Sequence, residues 1–212
     1  VLIAEYNPFH NGHEYHIQKA KEVTGADTVI VVMSGNFVQR GAPAIMPKHL
    51  RAKVALKSGA SLVLELPVCF ATGSAEYFAQ GAVALLDSLG CVDACVSGAN
   101  VEIFSHSPGS LKCSPMSLKN TGLSFVLRSK RGFPFHLPEN GLQDYLHDPA
   151  LSRILASPNN TLGVEYIKAL IRQESTIRPY TTLRKDSRYH ADTLEPAGNF
   201  SSATAIRRLL LF

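Results

Sequence analysis

Apolar and polar positions alternate in blocks along the first hundred residues. Val1–Tyr6 (VLIAEY), Thr28–Met33 (TVIVVM), Ser61–Leu66 (SLVLEL) and the shorter Ala94–Ser97 are apolar runs, the first three rich in branched side chains. Such runs predict strands buried on both faces, as in a parallel sheet. Helical spacing fills the gaps. Helices are predicted from about His13 to Thr24, from Lys48 to Ser58 with Leu50 and Val54 one turn apart, and over Ala75–Leu89. In the last, Phe78, Ala82, Leu85, Leu86 and Leu89 make one apolar stripe. Strand–helix alternation implies right-handed βαβ units and an α/β, Rossmann-like sheet between two helical layers. Ligands of such sheets bind beyond the carboxyl ends of the strands. The loops of interest are therefore 7–13, 34–40, 65–73 and 98–100.

Residues 101–157 break this rhythm. SHSPGS and RGFPFHLPENG are loop-like, and the stretch reads as an inserted irregular segment with one or two short helices. Periodicity returns from Asn159. Ile167, Leu170 and Ile171 mark a helix over 161–173, and Arg178–Leu183 a further strand. After a polar loop, Ser201 or Ser202 caps a last helix carrying Ile206, Leu209 and Leu210.

Composition narrows the classes. With 45% hydrophobic and 18% charged residues, the 212-residue chain is not disordered. No apolar run reaches the roughly 18 residues of a membrane span. The net charge of +4 permits an anionic partner without demanding one. Cys69, Cys91, Cys95 and Cys113 include no C-x-x-C pair, so they read as reduced, buried thiols of a cytoplasmic protein. The chain opens on Val1 within an apolar run, with neither initiator methionine nor signal peptide, and so reads as trimmed by a few residues within its first strand.

The richest segment is Glu5-Tyr6-Asn7-Pro8-Phe9-His10-Asn11-Gly12-His13, at the first strand-to-helix turn. A helix N-terminus offers free N–H groups and a positive dipole end to phosphates. Gly12 permits close backbone approach. His10 and His13 can donate hydrogen bonds to phosphate oxygens and carry positive charge as a pyrophosphate departs. The loop is expected to be exposed at the sheet edge. His10, His13 and His16 are spaced to bring imidazoles together on a helix, but no acidic ligand is fixed beside them, so no metal site is assigned.

H-x-G-H after the first strand marks the nucleotidylyltransferase superfamily. The longer string AEYNPFHNGHEYHI resembles the bacterial tRNA(Met) cytidine acetate ligase family. SGNFVQRGAPAI, LRAKVAL, LVLELP, SPNNTLGVEYIKAL, PYTTLR and SSATAIR resemble it in the same order, over residues 1–100 and 157–212. The resemblance implies a nucleotidylyltransferase-type catalytic domain over 1–212, with 101–157 a variable insertion. It implies adenylation of acetate by ATP, with Mg²⁺ bridging the phosphates, then acetyl transfer to N4 of the wobble cytidine of elongator tRNA(Met).

It also implies site residues. His10 and His13 are the catalytic pair. The ATP site runs through Ile3, Ala4, Glu5, Tyr6, Asn7, Pro8, Phe9, Asn11, Gly12 and His16, then Gly98, Asn159, Asn160, Arg184, Ser201, Ser202 and Thr204. At Gly98 the family has Phe-Gly-Ser-Glu where this chain has Ser97-Gly98-Ala99-Asn100. Ser34, Gly35, Asn36 and Arg40 are expected to line an acyl or phosphate pocket, Arg40 contacting an anion. Glu65, a carboxylate among apolar residues, needs a cation or a substrate amine as partner. The family carries a further C-terminal region that helps grip tRNA. This chain stops after the SSATAIR helix, so it is expected to bind tRNA weakly alone. A nucleotidylyltransferase making a cofactor-type product, or a non-catalytic nucleotide- or RNA-binding module, are the alternatives.

Overall fold

Successive strand residues point to opposite faces of a sheet, and here both faces are covered. A computed structural model describes residues 1–99, 157–184 and 202–211. The expected insertion up to residue 156 and Ser201 lie outside the described residues. Strands β1 (Leu2–Ala4), β2 (Ile30–Ser34) and β3 (Leu62–Leu66) pair in parallel in that spatial order, with Ile3 opposite Val32 and Val32 opposite Leu64. Strands β4 (Ala94–Ala99) and β5 (Arg178–Leu183) form a second parallel pair. The pairs abut at β1 and β4, where the Val96 N–H donates to the Val1 carbonyl at 2.9 Å. The spatial order is thus β3-β2-β1-β4-β5, reversing direction between β1 and β4. A crevice forms at such a switch point.

Leu2, Val31, Met33 and Val96 face one layer, made of α1 (Asn11–Thr24) and α2 (Lys48–Lys57), where they meet Ile17, Ala20 and Ala55. Ile3, Val32, Leu64 and Cys95 face the other. That layer consists of α3 (Val68–Ala71), α4 (Ala75–Ser88) and α5 (Pro158–Arg172), supplying Ala71, Phe78, Ala82, Leu86, Ala169 and Leu170. The expected three-layer α/β arrangement is the one observed. A final helix, α6 (Ala203–Leu211), is capped by Ser202, whose Oγ accepts from the Ala205 N–H at 3.0 Å. None of the helices among the described residues is long and apolar enough to cross a membrane.

Several expectations need correction. α1 begins at Asn11, two residues early, because His10 caps it. α5 begins at Pro158, so Asn159 and Asn160 lie inside its first turn instead of preceding it. In α2 the inward residues are Arg51 and Ala55, 1% and 0% exposed, while Leu50 is 43% exposed. The predicted helix is present, but apolar spacing does not mark its inward face, because the inward side chain is a guanidinium satisfied by carbonyl oxygens. Leu89 closes no stripe and is exposed, as are Leu209 and Leu210, since α6 docks through Ser202 and Ala205. Cys95 is buried, but Cys69 and Cys91 are exposed.

Candidate functional site

β1 ends at Ala4, and the next residues turn sharply under the sheet edge. Tyr6 adopts φ +50°, a left-handed conformation uncommon for a bulky side chain. Its ring is buried and meets Phe9 and His13 edge-on, each at 4.8 Å. Tyr6, Asn7 and Pro8 are buried, so this loop is not the exposed edge that was expected. The chain then enters α1 through a reciprocal cap. His10 Nδ1 accepts from the Gly12 N–H at 3.1 Å, and His13 Nδ1 accepts from the His10 N–H at 3.3 Å. The two imidazoles stack at 3.8 Å. Gly12 is required here, because a Cβ would lie 2.9 Å from the His10 ring.

This cap determines what the histidines offer. A neutral imidazole that accepts at Nδ1 carries its proton at Nε2. Burial above all, and then Arg184, hold His10 down to about 4. Burial, followed by His10, His16 and Arg184, holds His13 well below the usual histidine value. Burial and Arg184 hold His16 down to about 4, and its buried Nε2 has no hydrogen-bond partner among the described residues. Near pH 7 the rings are therefore neutral N–H donors, and Arg184 and Arg207 supply the standing positive charge of the cleft.

The cleft itself, about 260 Å³, opens at the β1/β4 switch point. Ile3, Ala4, Glu5, Tyr6, Asn7, His10, Gly12, His13 and His16 line it from the first strand and turn. Gly98 faces them from within β4; a Cβ there would stand 3.5 Å from Arg184 and 3.8 Å from His16. Asn159, Arg184, Ser202 and Thr204 complete the expected set from the second half of the chain. α1 and α6 thus both bring their N-termini to one cleft, where helix dipoles favour an anion; at α1 the Gly12 and His13 N–H groups are taken by His10, so the imidazoles are the donors there.

Other expected residues stand back from the lining. Pro8, Phe9 and Asn11 shape the turn, with Phe9 packed 5.5 Å from His13. Asn160 is fully buried behind Asn159. Ser34 and Gly35 are buried with their carbonyls turned to Arg51, and Asn36 is exposed elsewhere. The backbone of Arg40 lies in a 3₁₀ turn over Gln39–Gly41; its side chain lies outside what the structure describes. From that loop Gln39 reaches the cleft, its N–H donating to Glu5 Oε1 at 3.0 Å. Glu65 finds its cation in Lys48, 2.6 Å away, outside the lining. Sequence reasoning missed Gln39, Phe78, Tyr166 and Arg207 as lining residues. Arg207 was signalled by its place in SSATAIR; its guanidinium donates to the Asn7 carbonyl and to Thr204 Oγ1 at 3.1 Å.

Among the described residues no cluster of His, Cys, Asp and Glu could hold a metal ion, and Glu5 is the only carboxylate lining the cleft. That donor set is no cage. It fits a Mg²⁺ carried by substrate phosphates and waters, with Glu5 as the single protein carboxylate within reach.

Comparison with known proteins bears on the family and the fold. The tRNA(Met) cytidine acetate ligase of Clostridium novyi is 44% identical over 97% of this chain and 52% of its own length. Apo TmcAL of Thermotoga maritima is 36% identical and superposes with a TM-score of 0.76 over 99% of this chain and 50% of that one. The same protein bound with alpha-thio ATP superposes with a TM-score of 0.74. The chain spans about half the length of the curated relatives it matches. The model of the HIGH Nucleotidyl Transferase family matches residues 1–211, and by that match the chain belongs to this family.

Proposed function

We propose that residues 1–212 are the nucleotide-binding and catalytic part of a cytoplasmic, ATP-dependent tRNA(Met) cytidine acetate ligase, with 101–157 a variable insertion. The observation that carries this is the pair His10 and His13, capped at Nδ1 and protonated at Nε2, at the β1/β4 switch point between two helix N-termini. The relatives' names and the bound alpha-thio ATP of the Thermotoga protein supply the chemistry.

On this reading an acetate oxygen attacks the α-phosphorus of ATP. The bond to pyrophosphate breaks, leaving acetyl-AMP. The N4 amine of the wobble cytidine of elongator tRNA(Met) then attacks the acetyl carbon; AMP leaves with the electron pair and the amine loses a proton. No covalent nucleophile is needed from the chain. His10 and His13 donate Nε2–H to phosphate oxygens where charge builds up. Arg184 and Arg207 bring fixed charge suited to phosphate. His16, Asn159, Ser202 and Thr204 orient the nucleotide with the α1 and α6 termini. Mg²⁺, when bound, would neutralise phosphate charge beside Glu5.

The test is acetate-dependent exchange of pyrophosphate into ATP, followed by acetylation of elongator tRNA(Met). Exchange should require acetate and should fail with other small acids at equal concentration. ATP binding without acetate-dependent exchange would overturn the reading.

A further inference from the structure

Arg51 has no place in the reading above, yet among the described residues it is the largest side chain that the fold buries completely, at 1% exposure. Among the described residues its guanidinium makes no hydrogen bond to a carboxylate. It spends its donors on main-chain carbonyls from three separate segments. Nη1 donates to Glu5 at 2.6 Å and Ser34 at 3.1 Å, Nη2 donates to Gly35, and Nε donates to Met46 at 3.0 Å. These are the carboxyl ends of β1 and β2 and the far end of the loop after β2. Two further bonds join the same segments, from the Gln39 N–H to Glu5 Oε1 and from the Ile45 N–H to Asn7 Oδ1 at 2.8 Å.

Burying a guanidinium is costly unless its donors are satisfied. A planar fork with five N–H groups can serve several carbonyls in fixed directions; an ammonium, with three donors on one atom, cannot span them. Carbonyls at strand ends need partners once the ladder stops. We propose that Arg51 is a positioning residue: it locks the carboxyl ends of β1 and β2 to the loop that backs them, and so holds the Glu5–His13 turn in the shape that stacks and caps the two histidines. The residue touches no cleft surface and acts only through the backbone it grips. The proposal rests on the nucleotide reading for its binding arm alone.

The experiment compares Arg51→Lys with Ala55→Gly in the full chain. Both change a buried residue of α2, but only Arg51 reaches the turn. The stacked rings of His10 and His13, with Tyr6 edge-on, displace each other's imidazole proton resonances by ring current, and this signature is read without nucleotide. In Arg51→Lys the displaced resonances should move toward free-imidazole positions and ATP affinity should fall about tenfold. Ala55→Gly should lower the melting temperature while leaving both readouts at the parent values. If Arg51→Lys does not fold, Asn7→Ala, which removes the Ile45 tie, should move the same resonances by a smaller amount. Native resonances in a folded Arg51→Lys, or equal shifts in Ala55→Gly, would overturn the proposal. Should Arg51→Lys not fold, unmoved resonances in Asn7→Ala would do the same. Absence of acetate-dependent exchange in the parent chain, with its histidine resonances displaced as expected, would instead count against the functional reading.

Discussion

The loops after β1 and β2 leave the same sheet edge, side by side, and both carry strings that resemble one family, yet they do different work. The first turns its side chains to the cleft: Glu5, Asn7, His10 and His13 all line it. The second turns main-chain carbonyls inward to Arg51 and, among the described side chains, sends Gln39 to the lining. The difference follows from the strand order. β1 lies at the switch point and β2 lies one strand away, so a loop after β2 reaches the crevice only by lying against the loop after β1. Resemblance in a loop marks a constraint, and the constraint can be support instead of contact.

Four measurements sharpen or break this contrast. The largest effect belongs to the histidines. His10→Asn keeps a capping side chain for α1 and removes the imidazole donor. It should lower acetate-dependent exchange by roughly 10²–10³, or about 3–4 kcal/mol, with a much smaller change in ATP affinity. His13→Asn should match it. An exchange rate equal to the parent's in either would remove these residues from the chemistry.

Acid should destabilise the first loop specifically. Folded His10 and His16 lie near pKa 4, against 6.5 for the free side chain, so the unfolded chain binds more protons between those values. Stability is full above pH 6.5 and falls toward pH 4, by about 1.4 kcal/mol per pH unit for each histidine. Residues 35–47 contain no histidine, so His10→Asn should flatten this slope. A melting temperature unchanged between pH 7 and 5 would contradict the assignment of neutral, buried rings.

Gly35→Ala probes the support. An added Cβ would stand 2.2 Å from Glu65 Oε1, but that carboxylate is half exposed and can swing away from Lys48. The cost should be about 1 kcal/mol or less in a melting experiment, with ATP affinity within twofold. Smallest of all is Asn36→Ala, at an exposed position outside the cleft. It should shift stability by under about 0.5 kcal/mol and leave exchange untouched.

The fold was legible because its signals are local. Apolar runs such as TVIVVM appear only where both sheet faces are covered, and H-x-G-H at a strand-to-helix turn points to the crevice. What escaped was information that depends on neighbours. Arg51 reads as a surface charge until four carbonyls are found around it. Leu50 and Val54 show the helix by their spacing, but its inward pair, Arg51 and Ala55, is an arginine and a small residue that apolar spacing does not mark. Tyr6 gives no warning of a positive φ. Ser34 and Asn36 look like ligand contacts because small polar residues at a strand end serve equally well for binding and for turning. The neutrality of the histidines is likewise invisible in sequence, since burial sets it.

The bond from Arg207 to the carbonyl of Asn7 joins positions 200 residues apart. During synthesis, at roughly 5–20 residues per second, β1 to β4 and the paired histidines emerge early. β5, Arg184 and the α6 terminus follow after them. A nascent chain therefore carries one wall of the cleft first and gains the other only when residue 207 has cleared the ribosome. A message truncated between β4 and α6 would yield a protein with its H-x-G-H intact and only one wall of the cleft.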